Sequence, residues 1–172
     1  IAEQLQDVGI SALTIHGRTR AQLYRGSADW TLIGAVKNNP RMKIPIIGNG
    51  DIVSPASARE AFDRYGVDAI MIGRATVGRP WIFKEISHYL ETGELLPPMT
   101  LADKVALARL QFEKSLAVKG SPRGIFEMRR HFSNYFKGLP DFRDIRMKLV
   151  TSMDPVEIGG LLDQILVRYP DC

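Results

Sequence analysis

Two glycine-bearing segments, whose glycines Gly48 and Gly73 lie 25 positions apart, constrain the fold of this chain more than any other feature. Residues 46–51 read IIGNGD and residues 69–74 read AIMIGR, so a short apolar run stops at glycine in each. A helix-like segment follows both. A strand that leads through a glycine loop into a helix presents free backbone N–H groups, which together with the helix dipole attract anions. The two segments therefore predict a phosphate-binding edge.

The first half of the chain alternates between strand-like and helix-like segments. The pattern predicts strands at 11–15, 44–47 and 68–72, and helices at 1–8, 30–38, 54–65 and 79–90. Strands separated by helices of this length imply βαβ units and a parallel sheet, and nearly uniform apolar strands are typical of a sheet covered on both faces. Consecutive units of this kind are typical of a (β/α)8 barrel, in which the loops after strands seven and eight commonly hold a phosphate.

The pattern changes after the sequence Leu95-Leu96-Pro97-Pro98. From there on, amphipathic helices are predicted at 100–118, 122–136, 142–151 and 155–167. Short connections between four such helices favour a small antiparallel bundle. We therefore predict an α/β fold in two parts: residues 1–95 form about three βα units of a partial TIM (β/α)8 barrel with a phosphate site, and residues 96–172 form an all-α four-helix domain. Because a barrel needs eight units, the N-terminal part is expected to lie outside this sequence.

Composition narrows the class of protein. The chain is 45% hydrophobic and 24% charged, as is usual for a soluble globular protein, and no apolar run approaches the roughly 20 residues that span a bilayer. Its single cysteine, Cys172, cannot form an internal disulfide or a cysteine-based zinc cluster, so no metal is expected and a reducing, cytoplasmic location is predicted.

Positive charge is concentrated in the predicted helical half. Residues 109–148 contain ten Lys and Arg against four Asp and Glu, a net charge of +6 in a chain whose total is +4. A basic region of this kind predicts a polyanionic partner such as RNA, whose phosphates Lys and Arg hold without reading sequence; the alternative is a solvated helical surface. The candidate contacts are Arg129, Arg130, His131, Lys137 and Arg146.

Further candidates lie at the ends of the predicted strands, where a barrel carries its active site. Glycine at a strand end lets a phosphate approach the backbone, and an arginine there can pair with it through two N–H groups. The alternatives are a tight turn and a surface arginine. A dinucleotide fingerprint is excluded because its third glycine would fall at Val53. The candidate anion-binding residues are His16, Asn49, Gly50, Asp51, Gly73 and Arg74, with Arg18 and Arg20 as contacts to a large anionic substrate.

Three motifs together resemble the tRNA-dihydrouridine synthase family, and its bacterial B-type subfamily most closely. They are HGRTR at 16–20 with Tyr24 and ADW at 28–30, PIIGNGD at 45–51, and MIGRA at 71–75 continuing to GRPWIF at 78–83. The resemblance extends over nearly the whole chain, and the order and spacing of the three motifs make it more specific than any one of them.

The resemblance implies a monomeric flavin enzyme that binds FMN at the top of the barrel, grips tRNA with its helical domain and reduces the 5,6 double bond of particular uridines, with NADPH reducing the flavin. By similarity, the FMN phosphate and ribityl region would be held by Asn49, Gly50, Asp51, Gly73 and Arg74, and His16 matches a histidine that contacts FMN. The family's proton-donating cysteine and flavin-contacting lysine are expected upstream of this chain, so the chain alone is expected to be inactive.

Two other classes of function are open on the sequence. One is an FMN-dependent barrel dehydrogenase of a small molecule, which would not need a basic helical domain. The other is a non-catalytic RNA-binding protein, which would not need paired glycine strand ends. A yellow protein would exclude the second, and salt-sensitive binding of tRNA would exclude the first.

Overall fold

The computed structural model describes residues 1–170. Strands alternate with helices in the first half, and helices alone follow. The elements are α1 (Ala2–Asp7), β1 (Leu13–His16), α2 (Thr31–Lys37), β2 (Ile46–Asn49), α3 (Pro55–Tyr65), β3 (Ala69–Met71), a 3₁₀ turn (Arg74–Thr76), α4 (Ile82–Thr92), α5 (Leu101–Lys119), α6 (Arg123–Tyr135), α7 (Arg143–Thr151) and α8 (Pro155–Arg168). The chain divides into two compact units: a sheet unit of residues 1–76 and 81–96, and a helical unit of residues 77–80 and those from Pro97 onward.

The sheet unit is built on three parallel strands in the order β1-β2-β3. The register places His16 opposite Asn49, and Asn49 opposite Met71. The carboxyl ends of all three strands therefore lie level at one edge of the sheet. This small parallel sheet with its helices is an α/β fold consistent with part of a TIM barrel.

The strand β2 does not stop at its glycine, which corrects the sequence-based expectation. Gly48 lies inside the strand, opposite Ile15, and a Cβ there would come within 2.2 Å of the Trp30 ring. The indole Nε1 of Trp30 in turn donates to the carbonyl of Gly50 at 2.9 Å. Gly48 therefore makes room for the tryptophan, and the ladder continues to Asn49.

Helix α3 begins and ends where its sequence predicts. The Ser54 hydroxyl accepts from the Ser57 amide at 3.1 Å, the Ser57 hydroxyl accepts from the Ser54 amide at 3.0 Å, and Pro55 occupies the first turn. Gly66 closes the helix in the left-handed conformation. Because α3 directly follows the end of β2, these caps fix the chain that leaves the strand edge.

Helix α4 begins at Ile82, so the predicted start at residue 79 is wrong. Gly78 has φ +69°, which no helical residue adopts, and Pro80 disfavours the helical conformation of the residue before it. These two residues instead belong to a short segment, 77–80, that packs within the helical unit.

The helical unit has an aromatic core, in which α5 packs against α6 and α8, and α7 packs against α6 and α8. The rings of Phe112 and Phe132 meet edge to face, as do those of Phe136 and Phe142, each pair with centroids 5.6 Å apart. Phe132 and Tyr135 are buried. Both rings therefore belong to the core of the helical unit and do not form a base-stacking surface.

Gly78 of the 77–80 segment lies close against α6. Its amide donates to His131 Nδ1 at 3.2 Å. A Cβ at residue 78 would lie 2.6 Å from the Asn134 Cβ, 2.7 Å from the His131 carbonyl oxygen and 2.7 Å from the Tyr135 amide nitrogen. Contacts below 3.0 Å with backbone atoms cannot be relieved by a rotamer change, so this position accepts glycine alone without rearrangement.

Within residues 1–170, none of the helices combines the length and the apolar character that crossing a bilayer requires.

Candidate functional site

A cavity of about 570 Å³ opens at the carboxyl ends of the three strands. All six residues that the sequence predicts to bind an anion line it: His16, Asn49, Gly50, Asp51, Gly73 and Arg74. They come together because parallel strands in register bring their ends, and the loops after them, to the same edge.

The two glycines that line the cavity differ in whether the structure of the protein itself requires glycine at that position. Gly50 has φ +134°, and a Cβ there would lie 2.6 Å from that of Ala28, so the protein itself requires glycine. Gly73 has no such conformation, and a Cβ there would meet nothing within 4 Å. The space beside Gly73 is open to a ligand, which could reach the backbone directly because no side chain stands in the way.

Asp51 accepts four hydrogen bonds at the cavity wall. Arg18 donates from Nη1 to Oδ1 at 2.9 Å and from Nη2 to Oδ2 at 2.7 Å, the Ala28 amide donates to Oδ2 at 2.8 Å, and Arg74 Nη2 donates to Oδ1 at 3.1 Å. The hydrogen bond from Arg18, in first place, with those from Ala28 and the charge of Arg74, holds the pKa of Asp51 below its usual value against the opposing effect of burial. The carboxylate is therefore ionised and fully occupied.

Arg18 and Arg74 meet the same carboxylate from different environments. The Arg18 side chain is 4% exposed and also donates to the carbonyls of Arg25 and Gly26. The Arg74 side chain is 48% exposed, and its guanidinium carbon lies 4.4 Å from the centroid of the Tyr24 ring. Arg18 thus bonds only within the protein, whereas Arg74 has N–H groups that can donate to a ligand.

Two further side chains shape the strand edge. The side-chain Nδ2 of Asn49 donates to the Met71 carbonyl at 2.7 Å and so links the ends of β2 and β3. His16 Nδ1 accepts from the Arg18 amide at 3.0 Å, so the neutral ring carries its proton on Nε2 and can donate from there. His16 and Asn49 are the last residues of their strands, which is why they reach the cavity.

The family model described as Dihydrouridine synthase (Dus) matches residues 1–168. The chain belongs to the dihydrouridine synthase family. It is 50% identical over 137 residues to the tRNA-dihydrouridine synthase B of Salmonella typhimurium and to that of Escherichia coli, and 49% identical to that of Klebsiella pneumoniae. The alignment covers 80% of this chain but 42% of each of these relatives. The resemblance found in the three sequence motifs is confirmed.

The cationic residues predicted in the helical part of the chain fall into two groups. Arg130, Lys137 and Arg146 are exposed on α6, after it and on α7. Lys137 and Arg146 line a cavity of about 220 Å³ together with Arg143. This cavity forms where the turn after α6 leads into α7. The three cations that line it all fall within residues 137–146.

Arg129 and His131 are held inside the helical unit. Arg129 Nη2 donates to the Thr151 carbonyl at 3.2 Å, and its guanidinium carbon lies 4.7 Å from the centroid of the Phe126 ring. His131 is half-buried, and burial lowers its pKa, with the charge of Arg130 acting in the same direction. Neither residue is presented as a free cation, which the sequence pattern did not indicate.

Arg20 of the sheet unit is exposed on the loop after β1. The site residues that sequence reasoning missed are Tyr24, under Arg74, and Ala28, whose amide reaches Asp51. Both lie in a loop without periodicity, where their partners cannot be read from spacing. Residues 1–170 contain no group of three or more His, Cys, Asp or Glu side chains placed to hold a metal ion.

Proposed function

We propose that this chain binds FMN and tRNA in an NADPH-dependent flavoenzyme that reduces uridines of tRNA to 5,6-dihydrouridine. One observation carries the proposal: the six predicted cofactor residues, Arg74 among them, line a single cavity at the strand edge. Membership of the dihydrouridine synthase family, and relatives named tRNA-dihydrouridine synthase B, support the same reaction. In this proposal the sheet unit belongs to a (β/α)8 barrel, the helical unit is a four-helix tRNA-binding domain, and the enzyme is a cytoplasmic monomer.

The residues present fit a phosphorylated flavin. Gly73 leaves open space into which a phosphate could approach the backbone, and the half-exposed guanidinium of Arg74 carries the opposite charge. Asp51 does not itself repel the phosphate as a free carboxylate would, because two guanidinium groups neutralise it. Because His16 Nδ1 accepts from the Arg18 amide, its Nε2 offers an N–H donor for a carbonyl or a phosphate oxygen.

FMN, when bound, supplies hydride chemistry toward C6 of a uracil flipped out of the tRNA stack, while a general acid provides the proton at C5. The residues of this chain bind and orient: Arg74 balances phosphate charge, and Asn49 fixes the strand ends that form the floor. Lys137, Arg143 and Arg146 would hold the RNA backbone. The proton donor is expected outside this chain, whose only cysteine, Cys172, lies outside the described residues.

Deleting the gene is expected to lower the mass of one tRNA fragment by about 2 Da, because one uridine would keep its double bond and lack the two hydrogens that reduction adds. The measurement is mass spectrometry of digested tRNA, with the intact gene restored as the reference. Arg74→Ala should weaken FMN binding about tenfold to a hundredfold, since a charged hydrogen bond contributes roughly 1.5–3 kcal/mol. Arg64→Ala, which removes an exposed arginine of α3, is the matched control. Unchanged tRNA masses in the deletion strain would contradict the proposal.

Alanine substitution of Lys137, Arg143 or Arg146 is expected to weaken tRNA binding and to lower the slope of log K against log salt by about 1 for each residue. The reason is that each phosphate contact releases roughly one counterion. Lys84→Ala removes the same charge from α4 and is expected to leave the slope unchanged. Absence of salt-sensitive tRNA binding in the unaltered protein would instead favour a dehydrogenase of a small molecule.

A further inference from the structure

The carboxylate of Asp51 has no capacity left for a ligand. Its two oxygens accept from two arginines and one backbone amide, at distances between 2.7 and 3.1 Å. The residue also has φ +54°, a conformation that costs an L-residue about 1 kcal/mol and persists where surrounding contacts fix it. A side chain held so firmly beside a phosphate site acts on its neighbours rather than on the ligand.

Arg18 anchors this carboxylate from the protein side. A guanidinium has five N–H donors, and four hydrogen bonds from Arg18 go to Asp51 and to the carbonyls of Arg25 and Gly26. With 4% of its side chain exposed, Arg18 cannot turn toward an external anion without abandoning these partners. It therefore ties the loop after β1 to the turn after β2.

Arg74 is held on two sides and open on the others. Nη2 donates to Asp51, and the guanidinium carbon lies 4.4 Å from the centroid of the Tyr24 ring, which is itself 68% exposed. Among the residues that the structure describes, this is its one side-chain hydrogen bond. Four N–H donors thus remain at a residue that lines the cavity.

We infer that Arg18, Asp51 and Tyr24 form a brace, here called the Arg74 brace, that positions the Arg74 guanidinium to receive the phosphate of the cofactor. Asp51 and Tyr24 are positioning residues, because they act through Arg74. The inference rests on the proposed function. A guanidinium fixed in advance loses less freedom on binding than a mobile one, so the brace raises affinity for the phosphate group specifically.

Charge alone predicts the opposite effect for Asp51. The three ionised groups carry a net charge of +1, and replacing the carboxylate with an amide would raise this to +2. If Asp51 acted only through its field, Asp51→Asn would tighten the binding of a phosphate. If it acts by holding Arg74, the substitution weakens that binding, since a neutral amide cannot accept both arginines and the Ala28 amide equally well. The direction of the change separates the two roles.

The test compares the binding of FMN with that of riboflavin, which lacks the phosphate. It uses the full-length protein, as the cell produces it, after any bound flavin has been removed. The measured quantity is the ratio of the two dissociation constants, obtained from quenching of flavin fluorescence. Tyr24→Leu removes the ring beneath the guanidinium and is expected to reduce the preference for FMN about twofold to fivefold, as loss of an exposed cation–π contact implies. Tyr24→Phe keeps the ring face and is expected to leave the preference unchanged. Asp51→Asn is expected to reduce it.

Each outcome decides one question. A reduced preference in Tyr24→Leu and Asp51→Asn, with riboflavin binding unchanged, supports the brace. A stronger preference for FMN in Asp51→Asn, or equal behaviour of the Leu and Phe variants at residue 24, overturns it and leaves the proposed function standing. Failure of the unaltered protein to bind either flavin overturns the proposed function and the brace with it. Because Tyr24 is largely exposed, its variants are expected to fold normally.

Discussion

Replacing Gly78 with alanine is expected to lower the free energy of unfolding of the helical unit by about 2–5 kcal/mol. Two costs add: an L-residue at φ +69° is strained, and its Cβ would overlap the backbone of α6 at His131 and Tyr135. The hydrogen bond from the Gly78 amide to His131 would be stretched as the segment moves away. Chemical denaturation followed by circular dichroism measures the loss.

Gly138→Ala is the matched control for this substitution, because Gly138 also lies in the helical unit. Gly138 also has a positive φ, +99°, but a Cβ there would meet nothing within 4 Å. Only the conformational cost of about 1–2 kcal/mol then applies. Equal losses in the two variants would show that packing against α6 contributes nothing at residue 78.

Arg18→Ala is expected to destabilise the sheet unit by about 3 kcal/mol, the lower end for breaking a buried ion pair, because Asp51 keeps 36% of its side chain exposed. The substitution would leave the carboxylate of Asp51 with fewer donors and would detach the carbonyls of Arg25 and Gly26. The contribution of Asp51 is present above its unfolded pKa and is lost as pH falls through its lowered folded pKa. The difference between the parent and the Arg18→Ala variant should therefore shrink in acid.

Arg20→Ala provides the comparison, since Arg20 is exposed on the same loop. Its effect on stability should stay within about 0.5 kcal/mol. The sequence suggested that both arginines contact an anionic substrate. If Arg18→Ala left stability intact and reduced tRNA affinity as much as Arg20→Ala does, that suggestion would hold and the internal role assigned to Arg18 would not.

The sheet unit was largely predictable because its signals are local. Alternating apolar strands and capped helices indicate parallel βα units, and parallel units bring strand ends to one edge. That reasoning placed His16, Asn49 and Arg74 near each other without any knowledge of side-chain contacts. The extent of β2 was misjudged, since Gly48 reads as a strand end but makes room for Trp30.

Contacts between distant residues were beyond the reach of the pattern. Arg18 and Asp51 lie 33 positions apart, and nothing in the spacing distinguishes Arg18 from the exposed Arg20. Likewise, a cluster of basic residues on α6 did not reveal that Arg129 turns back to Thr151 while Arg130 remains exposed. Charge counts describe a segment, whereas the fate of each cation depends on which carbonyl, ring or carboxylate the fold brings to it.

The packing of residues 77–80 within the helical unit has a consequence for its autonomy. A protein engineer who expressed the sequence from Pro97 onward as a separate domain would leave out Gly78, which packs closely against α6. Gene rearrangements face the same obstacle, because two separate stretches of coding sequence must travel together. The helical unit is therefore expected to be inherited together with α4, which lies between its two stretches of sequence, rather than shuffled alone.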